Sequence, residues 1–376
     1  MNRRERLMAT IRGEPVDRPA VCFYEINGLE PVDDPDPFNV FNDPSWRPVV
    51  ELARERTDRI VMAWVPLRNE PSDPLEELTT RTVHDDEQGS RHETLTIKAG
   101  RRVLTQRTRR DPDMNTVWTT EHLLKDGDDL DAYLDLPVRP VGGEPDVNGV
   151  LDLERRLGDT GIVMIDSGDP LCLAAGLFDM GFFTVVALTE PRRFHRLIER
   201  FAPGYHYRTE QVAKALPGHL WRICGPEYAT EPYLPPRLFH EYVVPYDRPM
   251  VAAIQRHGGV ARIHCHGRIR NVLDSIAATG ALGLDPIEPP PQGDVSLAYV
   301  REKYGRQFVL FGNIEASELE NLPTPEFRRR VAQAVREGTT GAGRGFVLMP
   351  TACPAGRRIS ERTLRNYEAM VAAVGA

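Results

Sequence analysis

Ala261-Arg262-Ile263-His264-Cys265-His266-Gly267 is a short apolar run that ends in two imidazoles, and runs of the same kind recur along the chain. In extended backbone successive side chains alternate faces, so His264 and His266 share one side while Cys265 takes the other. The runs at 162–166, 220–224, 261–266, 283–287, 308–312 and 345–348 are each followed by a helical pattern, and 20–24 and 59–64 bring the total to about eight strands. Eight strand–helix units are the arithmetic of a (β/α)8 TIM-type barrel in the α/β class. A doubly wound open sheet is the alternative. It would carry a Gly-rich phosphate turn after its first strand, and Tyr24-Glu25-Ile26-Asn27-Gly28 is not one.

Helix signals punctuate the runs. Asn2 with Glu5 reads as a capping box that opens a helix bearing Leu7, Met8 and Ile11 on one face and stopping at Gly13-Glu14-Pro15. Further helices are expected over 49–56 and, as one or two pieces, over 171–188. Pro191 opens a long helix with Phe194, Leu197, Ile198 and Phe201 on one face. Thr324 as cap, with Pro325 and Glu326 in the first turn, starts another that closes at Gly338, and Ser360 caps the last. Between 79 and 122 the texture turns to Thr-rich alternation, and 92–97 and 102–108 flank Ala99-Gly100 as a β-hairpin. That stretch reads as an insertion into a single domain spanning 1–376.

The 376 residues are 41% apolar and 27% charged, ordinary for a soluble enzyme with ample core. A net charge of -8 argues against a nucleic-acid footprint. The longest apolar stretches, such as 182–188, are too short to cross a bilayer, and the N-terminus is charged, so a cytoplasmic protein without membrane contact is expected. Cys22, Cys172, Cys224, Cys265 and Cys353 are odd in number and have no tight spacing, which fits reduced thiols.

A barrel of this kind does its chemistry where the strands end. The run ends supply Cys224 with Glu227, His264 with His266, Glu288 in Pro286-Ile287-Glu288-Pro289, Asn313 in Gly312-Asn313-Ile314, and Cys353. Two imidazoles and a thiolate suit zinc with an open fourth position, so His264, His266 and Cys353 are the candidate metal ligands. Paired His can also hydrogen-bond to backbone, and a lone Cys is usually a small buried hydrophobe; the recurrence of metal-capable groups at successive run ends favours the metal. Glu227, Glu288 and Asn313 are the catalytic candidates. The two acids would serve as further ligands or orient a His ring, against the plainer reading of loop acids facing solvent. Arg101, Arg102, Arg107, Arg109 and Arg110 read as a solvated hairpin face rather than a grip for carboxylates.

Other stretches carry a resemblance. Arg3-Arg4-Glu5-Arg6 through Gly13-Glu14-Pro15-Val16-Asp17-Arg18-Pro19, Gly225-Pro226-Glu227-Tyr228, Pro235-Pro236-Arg237-Leu238-Phe239, Val244-Pro245-Tyr246, His264 to Gly267, Phe311-Gly312-Asn313-Ile314 and Asn366-Tyr367-Glu368-Ala369-Met370 resemble the uroporphyrinogen decarboxylase superfamily, with its corrinoid-linked methyltransferase branch. The resemblance implies a β/α barrel. In the methyltransferase branch it implies a zinc motif of His-x-Cys with a distant Cys, which maps onto His264, His266 and Cys353, with His266 in place of a Cys. Exchanging a thiolate for an imidazole leaves zinc more Lewis-acidic, still able to lower the pKa of a bound thiol, hydroxyl or water. The decarboxylase branch implies an Arg-bearing segment that clamps tetrapyrrole propionates; here the first run ends in Phe23-Tyr24-Glu25-Ile26-Asn27, without Arg.

The resulting expectation is a zinc-dependent methyltransferase that moves a methyl group between a small-molecule substrate and a corrinoid (cobalamin), free or carried by a partner corrinoid protein. No segment reads as a corrinoid-binding domain of the chain's own. The alternative is a metal-free decarboxylase or lyase acting on a tetrapyrrole or aromatic acid, with Arg222, Arg262 and Arg268 nearest the run ends. A barrel that binds without chemistry comes third, and a homodimer stays open as the oligomeric state.

Overall fold

Eight parallel strands build one sheet: β1 (Ala20–Val21), β2 (Arg59–Ala63), β3 (Gly161–Gly168), β4 (Leu220–Cys224), β5 (Val260–His264), β6 (Gly283–Asp285), β7 (Val309–Ile314) and β8 (Phe346–Pro350). This computed structural model describes residues 1–341 and 343–376. The order β1-β8-β7-β6-β5-β4-β3-β2 rolls the sheet into a nearly closed TIM-type barrel. The remaining seam lies between β1 and β2, and Asp58 bridges it. Its N–H donates to the Val21 carbonyl at 2.7 Å, and its Oδ2 accepts the Val21 N–H at 3.0 Å.

The period of two sorts the strand side chains into two layers. Ala20, Ile60, Ile162, Met164, Leu220, Val309, Phe311, Val347 and Met349 cluster with Leu7 and Ile11, inside the barrel. Their neighbours Val61, Val163, Trp221, Ile223, Ile263, Leu284, Leu310 and Leu348 pack outward, beneath the helices. Leu7 and Ile11 belong to the helix Arg3–Arg12, which therefore plugs the floor of the barrel; burying each contributes about 1.5–3 kcal/mol. That helix begins with the Asn2–Glu5 capping box and ends at Gly13, whose φ of 73° suits a residue without a Cβ.

The first run is shorter as a strand than its composition predicts, because the chain turns back after Tyr24. The Ile26 N–H donates to the Phe23 carbonyl at 2.8 Å, and Glu25 takes a left-handed φ of 62°. The stretch 171–188 divides into the helices Pro170–Ala175 and Met180–Thr189, and Pro191–Ala215 is the long helix. Thr324 is the first residue of its helix rather than a cap, whereas the Ser360 side chain does accept the Thr363 N–H. The insertion is larger than one hairpin. Thr79–Asp85, Arg91–Ala99, Arg102–Arg110 and Val117–Glu121 form a four-stranded antiparallel sheet, with Ile97, Ala99 and Leu104 fastening it to the core. Among the described residues no helix is long and apolar enough to cross a membrane.

Candidate functional site

The interior side of β5 carries Val260, then Arg262, then His264, so the strand delivers a guanidinium and an imidazole to the C-terminal mouth of the barrel. Both are buried. The register of β5 and β6 sets His264 beside Asp285, and His264 Nδ1 lies 2.7 Å from Asp285 Oδ2. The other Asp285 oxygen is 2.8 Å from Arg262 Nε, and Arg262 rests over the Phe311 ring at 4.7 Å. Burial works against the Asp285 carboxylate, yet Arg262 and His264 hold its pKa below the usual range.

Past the strand, Cys265 turns into the outer apolar layer and His266 returns to the mouth. Its ring centroid is 4.5 Å from that of His264, with the planes at 87°. His266 Nδ1 lies 2.7 Å from Glu288 Oε1, and Glu288 Oε2 accepts the Gly267 N–H at 2.5 Å. Burial opposes both charges, but their mutual attraction lowers the Glu288 pKa and raises that of His266. Among the described residues neither Nε2 has a hydrogen-bond partner. A neutral imidazole that donates from Nδ1 keeps its lone pair on Nε2, which is how carboxylate-oriented His rings are prepared to bind a metal.

Across the barrel, Tyr24 stands parallel to His264, with centroids 5.8 Å apart and planes at 9°. Its hydroxyl is bonded to Arg222 Nη1, and Arg222 Nε reaches Asp166 Oδ1 at 2.6 Å. Arg222 and Arg262 are direct neighbours in the β4–β5 register, and each is neutralised by an acid of its own.

The family description "Uroporphyrinogen decarboxylase (URO-D)" matches residues 148–375. The chain belongs to the uroporphyrinogen decarboxylase family. The match takes in β3 to β8 and so includes both imidazoles with their carboxylates. Among solved structures, a methyltransferase from Methanosarcina mazei has the same fold, with a TM-score of 0.61 at 16% identity over 99% of this chain and 98% of that one. The putative vitamin-B12 independent methionine synthase from Listeria monocytogenes gives a TM-score of 0.39 at 11% identity, over 63% of this chain and 70% of its own. No curated protein matches the sequence.

Within this family member the residues singled out from the sequence fare differently. His264 and His266 come together, and Glu288 is the group that orients His266. Cys353 finds another partner: its thiol donates to Glu25 Oε2 at 3.2 Å, and burial followed by the Glu25 charge pushes its pKa up. Among the described residues no three His, Cys, Asp or Glu side chains form a group spaced to hold a metal. The imidazole half of a zinc site therefore fits, and the thiolate half is not assembled beside it. Asn313 is spent on structure. Its Nδ2 donates to the Ile287 carbonyl at 3.1 Å, and Arg330 donates to its Oδ1 at 3.3 Å and its carbonyl at 2.8 Å.

Glu227 lies in the turn Pro226–Ala229 after β4, where its Oε2 accepts the Gly225 N–H at 3.0 Å. Near it are Asp169 and Asp247, fully buried, and among the described residues Asp169 Oδ2 and both Asp247 oxygens have no partner. Burial first, and then neighbouring acids, raise both pKa values well above the usual range. Burial likewise pushes the Cys224 thiol up to about 12. On the insertion, Arg102 pairs with Asp129 at 2.5 Å and Arg109 with Asp111 at 2.7 Å. Asp166, Asp285 and Glu315 join the site without a motif of their own in the sequence. Each is an acid inside or just after an apolar run, and that placement was the available signal. Glu315 is buried, with Oε1 unpartnered, and burial followed by Glu288 and Glu318 pushes its pKa to about 7.

Proposed function

We propose that this member of the uroporphyrinogen decarboxylase family is a methyl-transfer enzyme whose reacting centre is the pair His264 and His266 at the barrel mouth. Each ring is tied through Nδ1 to its own buried carboxylate, at 2.7 Å in both cases, while among the described residues both Nε2 atoms stay without a partner. A fold shared along its whole length with the Methanosarcina mazei methyltransferase supports the same reading.

His264 and His266 would hold a zinc ion; Cys353, the third ligand that the sequence offers, would have to leave its bond to Glu25 to join them. Zinc bound there would supply Lewis acidity to the heteroatom that gives or receives the methyl group. The chain's own residues do the rest. Asp285 and Glu288 fix the rings and make them stronger donors, Arg262 balances Asp285, and Tyr24, held by Arg222 and Asp166, covers one face of His264. Glu227, close enough to help raise the His266 pKa, adds negative charge to the mouth. The methyl carrier in this proposal is a corrinoid supplied separately.

The metal-free decarboxylase reading needs inward guanidinium groups free to take substrate carboxylates. Arg222 and Arg262 are charge-balanced by Asp166 and Asp285, although among the described residues Arg262 Nη1 and Nη2 have no hydrogen-bond partner, and Arg268 is exposed. A polycarboxylate would have to displace buried acids, so methyl transfer is favoured.

The test is to mix zinc-supplemented protein with methylcobalamin and a panel of thiol, amine and phenol acceptors, following the visible spectrum for loss of the cobalt-bound methyl group. The expected result is turnover with at least one acceptor class, abolished by chelation and by His264→Ala. Turnover that survives both treatments would contradict the proposal.

A further inference from the structure

A cleft of about 500 Å³ opens beside the barrel mouth, between the end of β2, the segment 137–142 and the helix Pro191–Ala215. It is distinct from the paired imidazoles, which do not line it. Its volume falls within the range of pockets that take small organic ligands. Trp64, directly after β2, is 51% exposed there, an unusual place to leave an indole in water. Tyr133 and Tyr205 add two further aromatic rings to the walls.

Arg208 also lines the cleft, and it is the unusual group. It is 5% exposed, with its guanidinium 3.4 Å from the Trp64 ring centroid. Among the described residues no carboxylate lies within ion-pairing distance of it. Its hydrogen bonds go to neutral acceptors: the Val65 carbonyl at 3.1 Å, Ser167 Oγ at 3.5 Å and the Asp166 carbonyl at 3.4 Å. A guanidinium has five N–H donors, so some remain for a ligand. Burial pulls its pKa down to about 10, the sign of a cation that lacks a counter-charge. Buried charges are ordinarily paired, and an anion entering the cleft would supply the partner. Pro203 and Gly204 also line the cleft, and a Cβ added to Gly204 would meet nothing within 4 Å.

We propose that this cleft binds a planar aromatic carboxylate, with the ring packed among Trp64, Tyr133 and Tyr205 and the carboxylate facing Arg208. The aromatic walls select a flat apolar body, and the unpaired guanidinium selects the negative charge. Arg208 also touches the Asp166 carbonyl, and the Asp166 side chain holds Arg222 and through it Tyr24 over His264. The cleft opens at the end of β2, with β3 and β4 between it and β5, which carries His264.

The probe is 2-naphthoate, titrated calorimetrically into the full chain, with 2-naphthamide and cyclohexanecarboxylate as the uncharged and non-planar comparisons. The expected result is saturable 1:1 binding of 2-naphthoate, weakened at least about tenfold by Trp64→Ala and by Gly204→Leu, with both comparison compounds at least about tenfold weaker. Arg208→Met should weaken binding at least about tenfold as well, and Gly204→Leu, at an open helical position lining the cleft, tests the site even if Arg208→Met fails to fold. No saturable binding of 2-naphthoate, undiminished binding in both Trp64→Ala and Gly204→Leu, or equal affinity for the amide would each overturn the proposal. Binding is read without methyl transfer, so this inference and the proposed reaction can fail separately.

Discussion

The two ends of the barrel both bury charge, and they do it by opposite rules. At the N-terminal end Asp58 has both oxygens engaged: Oδ1 by Arg6 at 2.7 Å and Arg18 at 3.3 Å, Oδ2 by Arg18 at 2.8 Å and the Val21 N–H at 3.0 Å. At the C-terminal end Asp169, Asp247 and Glu315 are buried as well, but each keeps at least one oxygen unpartnered. Leaving a buried polar atom unmatched costs about 1–3 kcal/mol, a cost that a fold tolerates where a ligand or a proton supplies what is missing. The lower end is a clamp and the upper end is a site, and they are told apart by whether these buried carboxylates have both oxygens matched.

The largest expected effect breaks the clamp. Asp58→Ala leaves Arg6 and Arg18 without their shared buried counter-charge and should destabilise the fold by about 3–5 kcal/mol in urea unfolding. A loss under about 1 kcal/mol would remove the distinction between the two ends.

The two ends should also respond oppositely to pH. An acid whose folded pKa is raised adds stability below its unfolded pKa and loses it as pH rises through the folded value. Glu315, at about 7 when folded, should therefore lower stability on going from pH 5 to pH 8, by on the order of 1–3 kcal/mol from an unfolded value near 4.3. Glu315→Gln should flatten that slope, and Asp247→Asn should flatten what continues to higher pH. The lower end runs the other way. Asp17, held down by its hydrogen bonds to Arg6, gives stability present above its unfolded pKa and lost as pH falls. Unfolding curves collected across pH for the three proteins check both signs; a Glu315→Gln slope equal to that of the wild type would refute the first.

The smallest effect is a control away from both ends. Val103→Thr, on the exposed face of the inserted sheet, should change stability by less than about 0.5 kcal/mol.

The sequence carried the barrel well because its strands have dry sides. Ala261 to His266 and Leu220 to Cys224 alternate between an interior and a helix-facing layer, and that alternation placed His264 and His266 on one side. The insertion was only half legible. Thr79-Thr80-Arg81-Thr82-Val83-His84-Asp85 is wet on both faces, so no apolar period marks it as a strand. Asp285 was hidden for another reason: its partner is set by the register of β6 against β5, a property of two segments together and of neither alone. Cys353 and Glu25 both lie in turns past strand ends, where the period of two no longer fixes direction. The thiol could therefore not be aimed from the sequence.

The most direct test of the central claim is zinc content per folded chain, measured by mass spectrometry after purification in zinc-containing buffer, for the wild type, His266→Ala and Glu288→Gln. The expected result is about one zinc in the wild type, none retained by His266→Ala, and an affinity lowered about 10- to 100-fold in Glu288→Gln, with unfolding midpoints in the presence of chelator little changed. A wild type that binds no zinc, or a His266→Ala protein that keeps its full complement, would contradict it.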